Sequence, residues 1–349
     1  MAGSLAERVV ELAQIPAPTF AEEPRLRWLE VELAGGPGTV ARDEAGNVVW
    51  SWGESPPQVL VLAHVDTVFP AETSLEPHRV DDLLVGPGIG DNAAAVVVTL
   101  EAVRRLLEWG TPAPGAVAFT VGEEGLGNLR GALAACRSLE PELVVAVEGQ
   151  GIERVLVDAV GSIRATLRVA GPGGHSWVDR GLPSAIHAIL RLGSDLAARA
   201  TRDVPVNVGL VSGGRSINSI ADRAELTVEA RSVDGAKLEE FAHVLAELAV
   251  EPPLELEVET VGRRGAGRLD RGHELLRVVR EVRRELDLPD ELGQGSTDAN
   301  AALALGIPAL TLGAARGGGM HSLEEWIDPA TLELGAAQLE RVLARLLDA

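Results

Sequence analysis

Side chains that can bind a metal or transfer a proton follow three apolar segments of the chain. In sequence order they are His64 and Asp66 after residues 59–63, Glu123 and Glu124 after residues 116–122, and Glu148 after residues 143–147. Imidazole and carboxylate groups are common protein ligands of zinc and related divalent metals. A carboxylate can also act as a general base. The residue types therefore indicate a metal site with a proton-transferring group beside it.

The three apolar segments have the composition of strands that are buried on both faces of a parallel sheet. They are nearly continuous runs rich in Val, Leu and Ala, without the polar alternation of a half-buried strand. In open α/β sheets, ligands bind beyond the carboxyl ends of the strands. The side chains that follow the three segments are therefore predicted to converge at one edge of one sheet.

Glu123 and Glu124 are the strongest local signal, because two adjacent carboxylates that lose water repel each other. A bound cation would relieve this repulsion, and one carboxylate could then bind the metal while the other serves as the base. A solvated turn is the alternative. His64 and Asp66 are two residues apart, so their side chains point the same way. Asp66 either orients the His64 ring or binds the metal beside it.

Two later residues are expected at the same edge. Asp91 follows the glycine-rich loop 86–90, and His321 follows the glycines 317–319 after a strand predicted at 307–312. Asp91 could instead cap the helix that is predicted to begin there. A phosphate loop is disfavoured, because the glycine spacing is wrong and the phosphate-binding lysine is missing. The absence of H-E-x-x-H, of a cysteine cluster and of G-x-S-x-G excludes a zincin, a zinc finger and a serine elbow.

The composition restricts the class of protein. The chain has 349 residues, a hydrophobic share of 46% and a formal net charge of −21, which predicts a folded two-domain protein that does not bind nucleic acid. The single cysteine, Cys136, excludes an internal disulfide and is expected to be a small buried residue. No apolar run is long enough to span a membrane and no signal peptide is visible, so we expect a cytoplasmic protein.

The order of elements predicts an inserted domain. Residues 1–159 alternate strands and helices, including a helix from Ala93 to Trp109 that is ended by Gly110 and Pro112. Residues 160–266 follow the strand-helix-strand-strand-helix-strand order of a ferredoxin-like α+β domain, and residues 267–349 resume the first pattern. The expected fold class is α/β, a mostly parallel mixed sheet flanked by helices, with the α+β domain inserted.

Together these residues resemble a co-catalytic zinc hydrolase family that includes peptidase T, glutamate carboxypeptidase, aminoacylase, acetylornithine deacetylase and succinyl-diaminopimelate desuccinylase. The resemblance covers the whole chain, and its motifs are His64-Val65-Asp66, Asp91-Asn92, Glu123-Glu124, Glu148 and His321-Ser322-Leu323-Glu324-Glu325. Residues 295–300 and 316–319 are most similar to the peptidase T-like and glutamate carboxypeptidase-like branches. Residues 92–95 read Asn-Ala-Ala-Ala, where many members carry a lysine and glycines.

The resemblance implies a zinc-exopeptidase-like fold and two divalent metals, zinc foremost, with cobalt or manganese as possible replacements. Asp91 would bridge the metals, His64 and Glu148 would complete one site, and Glu124 and His321 would complete the other. By the same resemblance, Glu123 would be the general base for a water that bridges the metals. Asp66 would orient a metal ligand without binding a metal itself.

The resemblance also assigns roles in the inserted domain, which in this family serves for dimerisation and as a lid. His175, in the segment 171–176, would reach the active site of the partner subunit in a homodimer and help to hold the oxyanion. Asn218 would bind substrate near the same oxygen, and Arg231 would bind a substrate carboxylate, which arginine does in bidentate fashion. Judged alone, His175 could be a loop histidine packed by glycines, and Arg231 could form an ion pair at the sheet edge.

The implied function is hydrolysis of an amide bond in small peptides by an exopeptidase of the di- or tripeptidase type. An N-acyl amino acid deacylase, acting on N-acetyl or N-succinyl groups, uses the same residues and stays open. A non-catalytic binding protein on the same fold would be expected to lack the base or some ligands, and here all are present.

Overall fold

The chain divides into two compact units. The computed structural model describes residues 3–108, 110 and 113–347. One unit contains the residues up to Ala159 and those from Arg268 onward, and the other contains Val160–Gly267. Trp109 and Pro112, which the sequence indicates as the end of a helix, lie outside the described residues.

The helices and strands are numbered here in chain order. The helices are α1 (Leu5–Ala13), α2 (Glu23–Leu33), α3 (Ala95–Glu108), α4 (Arg130–Leu139), α5 (Ala185–Ala197), α6 (Gly235–Ala246), α7 (Glu274–Glu285), α8 (Ala299–Ala304) and α9 (Leu332–Leu346). The strands are β1 (Thr39–Arg42), β2 (Val48–Trp52), β3 (Val59–His64), β4 (His78–Val80), β5 (Leu83–Val85), β6 (Gly115–Thr120), β7 (Leu143–Glu148), β8 (Arg154–Ala159), β9 (Gly161–Ala170), β10 (Gly174–His175), β11 (Val206–Gly213), β12 (Ser219–Ile220), β13 (Arg223–Ser232), β14 (Glu255–Arg264), β15 (Gly267–Arg268), β16 (Glu291–Gly295), β17 (Ala309–Gly313), β18 (Arg316–Gly318) and β19 (Trp326–Asp328). Within the described part of the chain, no helix combines the length and the apolar composition that crossing a membrane requires.

A nine-stranded sheet forms the centre of the first unit. Its order is β1-β2-β6-β3-β7-β17-β8-β15, with β16 beside β8. The strands β6, β3, β7 and β17 are mutually parallel, whereas β2 and β8 pair with this group in the antiparallel sense. The sheet is thus mixed with a parallel centre, which confirms the predicted α/β class.

Both faces of the parallel centre are buried, which is why its strands are apolar throughout. Val59 and Val61 of β3 pack in one cluster with residues of α1, α3, α7 and α9. Leu60 and Leu62 pack on the other face with alanines of α4 and α8. Because neither face reaches water, functional polar side chains are confined to the strand ends. His64 is the last residue of β3, and Glu148 is the last residue of β7.

Two local differences from the sequence-based expectation affect the site. Helix α3 begins at Ala95 rather than Ala93, because Asp91 and Asn92 have non-helical backbone angles in the turn Ile89–Ala94 that precedes it. Asp91 therefore does not cap α3. Strand β6 ends at Thr120, and the positive φ of 66° at Gly122 turns the chain before the two glutamates.

The buried thiol of Cys136 fits a structural role. Cys136 lies in α4 and is buried. Burial, with the charge of Asp298 adding to it, raises the pKa of this thiol to about 12. A thiol with so high a pKa stays protonated and is a poor nucleophile.

The second unit is an antiparallel sheet covered by two helices on one face. The strand order β11-β13-β9-β14, with connections strand-helix-strand-strand-helix-strand, is that of a ferredoxin-like domain. Ile163, Leu226 and Phe241 belong to the core between sheet and helices. The other face of the sheet carries charged residues in ion pairs, such as Arg164 with Glu229.

Candidate metal centre

Five of the side chains singled out from the sequence form two groups in the first unit. His64, Asp91 and Glu148 each place one potential ligand atom within 4.8 Å of the others, and so do Asp91, Glu124 and His321. Asp91 belongs to both groups. The fold thus brings residues from five separate segments to one edge of the sheet, with one carboxylate shared between two possible metal positions.

Asp91 lies between the two imidazoles. Its Oδ1 is 3.1 Å from Nε2 of His64, and its Oδ2 is 3.1 Å from Nε2 of His321. The residue is only 4% exposed, and Oδ1 has no hydrogen-bond partner among the described residues. Buried carboxylate oxygens rarely lack a partner. The peptide bond between Asp91 and Asn92 is cis.

The orientation of the His64 ring shows that a metal fits this place. Its Nδ1 lies 3.1 Å from the carbonyl oxygen of Asp66, so the neutral ring would carry its proton on Nδ1 and present the lone pair of Nε2. Nε2 faces Asp91 Oδ1 and, at 3.6 Å, Oε2 of Glu148. These three atoms need a cation among them, which is a proton on Nε2 in the metal-free protein and a metal ion in its place, and imidazole with carboxylates is a donor set that zinc accepts.

The charges of the site perturb its titration strongly. Burial would lower the pKa of His64, but the carboxylates around the ring raise it well above its ordinary value. Asp91 and Glu124 raise the pKa of His321 to about 10. Burial raises the pKa of Glu148 to about 7, and the charge of Asp91 adds to that effect. A metal that binds here must therefore displace protons from the imidazoles.

Asp66 fixes the turn that carries the two glutamates. Its Oδ1 accepts the backbone N–H of Glu123 at 3.0 Å, and its Oδ2 accepts the N–H of Glu124 at 2.9 Å and the hydroxyl of Thr19 at 2.8 Å. Its Oδ1 also lies 3.5 Å from Nδ1 of His64. Since both oxygens accept these hydrogen bonds, Asp66 holds in place the segment that carries the two candidate carboxylates.

Glu123 and Glu124 leave this turn in a shared buried environment. One oxygen of each lies within 4.8 Å of the other and of a ring nitrogen of His64, which makes a third possible ligand group. Oε1 of Glu124 is also 3.1 Å from Nε2 of His321, so Glu124 belongs with Asp91 and His321. Glu123 is then the carboxylate that is left beside the two groups that share Asp91, where it could accept a proton.

Sequence reasoning missed several residues that hold these segments in place. They are Thr19, Arg25 and Gln150, together with Glu325, which the sequence pattern included without a role. Arg25 is fully buried and donates from Nη1 to the carbonyl of Val65 at 3.1 Å. Nothing in the sequence separates Arg25 from Arg27 of the same helix, whose side chain is 74% exposed.

His175 and Asn218 lie together at the two-stranded antiparallel sheet that β10 and β12 form in the second unit, called here the β10–β12 sheet. Helix α5 and strand β11 separate these two strands in the chain. Strands β10 and β12 pair His175 with Ser219, and the backbone N–H of Ser176 donates to the carbonyl of Asn218 at 3.0 Å. Both residues are exposed. The fold thus places next to each other the two residues that the resemblance associates with one substrate oxygen.

The backbone after β10 fixes which ring nitrogen of His175 can donate a hydrogen bond. Its Nδ1 accepts the backbone N–H groups of Trp177 at 3.2 Å and Val178 at 3.3 Å. Its own backbone N–H donates to Oδ2 of Asp179 at 2.8 Å. A neutral imidazole with Nδ1 as acceptor carries its proton on Nε2. Nε2 of this exposed side chain is therefore a hydrogen-bond donor.

Arg231 lies near the C-terminal end of β13, whereas the β10–β12 sheet adjoins the N-terminal end of this strand. Its Nε donates to Oε2 of Glu229 at 2.8 Å and its Nη2 donates to Oε1 at 3.1 Å. An ion pair, which the sequence left open as the alternative, is thus present, but it lies on β13, an inner strand, and not at a sheet edge. A substrate carboxylate would have to displace Glu229 or bind the remaining N–H groups of the guanidinium.

Comparisons with known proteins extend over almost the whole chain. A model of peptidase family M20/M25/M40 matches residues 60–345. A LysW-lysine hydrolase of Deinococcus radiodurans is 25% identical, over 97% of this chain and 96% of its own. A tripeptidase from Staphylococcus aureus has a TM-score of 0.81 at 22% identity, covering 99% of this chain and 98% of its own. The YXEP protein of Bacillus subtilis, a dinuclear metal-binding peptidase from the M20 family, has a TM-score of 0.70 at 14% identity, covering 99% and 98%.

Proposed function

The chain belongs to peptidase family M20/M25/M40, a family of metallohydrolases, and on that premise we propose that it hydrolyses an amide bond in small peptides. The proposed type is an exopeptidase that acts on di- or tripeptides, as the fold shared with a tripeptidase suggests. The observation that carries the proposal is the sharing of Asp91 between two ligand groups, with the carboxylate of Glu123 beside them.

The metals would occupy the two groups that share Asp91. His64, Asp91 and Glu148 would hold one divalent ion, and Asp91, Glu124 and His321 would hold the second. The mixed imidazole and carboxylate donors suit zinc, and cobalt or manganese can replace it in such sites. When bound, the ions supply Lewis acidity, which polarises the scissile carbonyl and lowers the pKa of water.

Glu123 would move the proton. Its carboxylate takes a proton from the attacking water and passes it to the leaving amine, so the base is regenerated within one turnover. The position of Glu123 depends on Asp66, which accepts its backbone N–H at 3.0 Å. The position of the Glu123 backbone relative to a reacting water would therefore be set by this tertiary hydrogen bond and not by a flexible loop.

The second unit would supply a donor for the oxyanion. The side chain of His175 is exposed and Nδ1 of its ring accepts two backbone N–H groups, which is the preorganisation that oxyanion stabilisation needs. Asn218, which lies at the same β10–β12 sheet, would bind the same substrate oxygen. Arg231 would bind a substrate carboxylate in exchange for Glu229.

We infer a homodimer in which His175 serves the site of the partner subunit. Strand β11 forms one edge of the four-stranded sheet, and its residues Leu210 and Val211 are 70% and 56% exposed. An apolar strand at a sheet edge offers backbone groups and side chains for pairing with another chain. Pairing through β11 would cover this surface in the dimer.

A deacylase is the second candidate function. The relative that matches over 97% of this chain is named a LysW-lysine hydrolase and not a peptidase. The same metal ligands and the same base would cleave an N-acyl amino acid, because the bond broken is again an amide.

A substrate panel tests the proposal. Chelator-treated protein is reloaded with zinc, cobalt or manganese and offered dipeptides, tripeptides, N-acetyl amino acids and N-succinyl amino acids. We expect peptides to be cleaved fastest, and the Glu123→Gln protein, prepared identically, to report any contaminating peptidase. Cleavage of N-acyl amino acids alone would favour the deacylase, and no cleavage with any metal would contradict both.

A further inference from the structure

The carboxylate of Glu325 lies against the loop that carries Asp91, although 234 residues separate the two positions. Its Oε1 accepts the backbone N–H of Asp91 at 2.6 Å and that of Gly90 at 3.0 Å, and its Oε2 accepts the N–H of Gly88 at 2.7 Å. The residue is fully buried. One buried carboxylate therefore satisfies three amides of a single loop, in the manner of an anion bound by a backbone nest.

The glycines of this loop make the contact possible. Gly88 has a φ of +71°, which favours glycine. A Cβ at Gly90 would lie 2.8 Å from Oε1 of Glu325 and 2.7 Å from Cγ of Gln150, so a side chain there would push the carboxylate away. Nε2 of Gln150 donates to Oε1 of Glu325 at 2.8 Å. The carboxylate thus has four donors and a shaped place to lie.

Glu325 also connects this loop to the segment that carries His321. The backbone carbonyl of Glu325 accepts the N–H of Gly86 at 2.8 Å, and β19, which follows Glu325, pairs with β5, which precedes Gly86. His321 itself lies only four residues before Glu325. The residue that holds the Asp91 loop is therefore part of the segment that presents the other imidazole.

Within the function proposed above, we propose that Glu325 is a positioning residue that holds Asp91 between the two ligand groups and ties its loop to that of His321. A carboxylate can be shared by two groups only if its backbone is placed accurately, and a loop rich in glycine has too much conformational freedom to keep that place alone. Glu325 removes this freedom through its three hydrogen bonds to the loop. It contacts backbone N–H groups and Gln150, and its effect on the metals passes through Asp91.

The test is metal binding by the full-length Glu325→Gln protein. Glutamine keeps the volume and one acceptor oxygen but directs an NH₂ group at an N–H of the loop. We expect at least one Zn²⁺ ion to bind about 10- to 100-fold more weakly, as when a group that orients a metal ligand is lost. The Co²⁺ absorption spectrum, which reports ligand geometry, should change as well. Glu324→Gln alters the exposed neighbour of Glu325 and should match wild type in both measurements.

A purely structural role for Glu325 has a different signature. The metal-free Glu325→Gln protein would then melt at a lower temperature, while the folded protein would bind both ions with wild-type affinity and give the wild-type Co²⁺ spectrum. That outcome would overturn the inference. If Glu325→Gln does not fold, the Gln150→Ala protein tests the inference instead, because it lacks one of the four donors to the Glu325 carboxylate. We expect it to weaken Zn²⁺ binding roughly 2- to 10-fold, the value of one hydrogen bond, and unchanged affinity would overturn the inference.

These measurements use Zn²⁺ or Co²⁺ alone, so they separate the inference from the proposed function. If wild type binds two ions but cleaves no substrate of the panel, the proposed function fails while the affinities still judge Glu325. If wild type cleaves peptides and Glu325→Gln binds metal as wild type does, the function stands and the inference fails.

Discussion

The candidate metal centre and the surroundings of His175 in the β10–β12 sheet are stabilised in different ways. In the centre, contacts join distant parts of the chain: Asp66 accepts amides 57 and 58 residues away, and Glu325 accepts amides 234 to 237 residues away. In the β10–β12 sheet, the strands pair residues 44 and 46 positions apart, but the contacts that hold the imidazole and the backbone N–H of His175 span only two to four residues, and the side chain is exposed.

The difference indicates what each region can do by itself. The tertiary fold holds in place the groups of the candidate metal centre that we propose to bind ions and move a proton. The local contacts in the β10–β12 sheet orient a single hydrogen-bond donor, Nε2 of His175. The acceptor for this donor would come from a substrate or a second subunit. Changes in the first region should therefore remove chemistry or metal, whereas changes in the second should lower the rate and leave the metals in place.

The largest effect is expected from Glu123→Gln. Glutamine keeps the shape of the side chain but cannot take the proton, so kcat should fall by about 10²- to 10⁴-fold. Metal content, measured by elemental analysis, should stay at the wild-type level because Glu123 is outside the two groups that share Asp91. Loss of one ion in this variant would mean that Glu123 is a ligand.

His175→Ala should have the next largest effect. Loss of one oxyanion donor lowers kcat by about 10²- to 10³-fold, while metal content and melting temperature should stay close to wild type because the side chain is exposed. Mixing this protein with Glu123→Gln should restore roughly one quarter of wild-type activity, since half of the dimers are mixed and each mixed dimer holds one intact site. No recovery in verified mixed dimers would contradict a role in the partner's site.

The pH dependence of metal binding should distinguish the two regions further. In the metal-free protein the pKa of His321 is raised to about 10 by Asp91 and Glu124, so His321 carries a proton at neutral pH that the metal must displace. Affinity for Zn²⁺ should then rise about tenfold per pH unit for each proton released. Competition titrations from about pH 6 to pH 8 would check this, and His175→Ala should give the same slope. A flat profile would contradict the assignment of His321.

Asp179→Ala should have the smallest effect. It removes the acceptor that holds the backbone N–H of His175 at 2.8 Å, so the imidazole should be less well placed and kcat should fall roughly 2- to 10-fold, the value of one hydrogen bond. Metal affinity should not change. A loss as large as that of His175→Ala would show that the position of the imidazole depends almost entirely on Asp179 and not on the contacts of its ring with Trp177 and Val178.

The same contrast explains how much the sequence reveals. Strands β3, β6 and β7 are buried on both faces, so their apolar composition marks them, and His64 and Glu148 stand out as the polar residues that end them. The parallel centre of the sheet was predictable for this reason. Asp91 was harder to interpret, because its loop also resembles a helix start, and the structure shows that the turn before α3 is separate from the helix.

The supporting residues could not be found by such reasoning. The roles of Arg25 and Glu325 depend on contacts across 40 and more than 230 residues, and their residue types are the commonest kind of surface charge. Only burial distinguishes them, and burial of a charged side chain has no local pattern. The exposed donor of His175 likewise depends on which backbone N–H groups its Nδ1 accepts, which the sequence does not specify.

Anomalous diffraction from crystals loaded with zinc tests the central claim most directly. The account predicts two peaks per subunit, one among His64, Asp91 and Glu148 and one among Asp91, Glu124 and His321. A single peak among His64, Glu123 and Glu124, the third possible ligand group, would contradict it, because Glu123 would then be a ligand and Asp91 would bridge nothing.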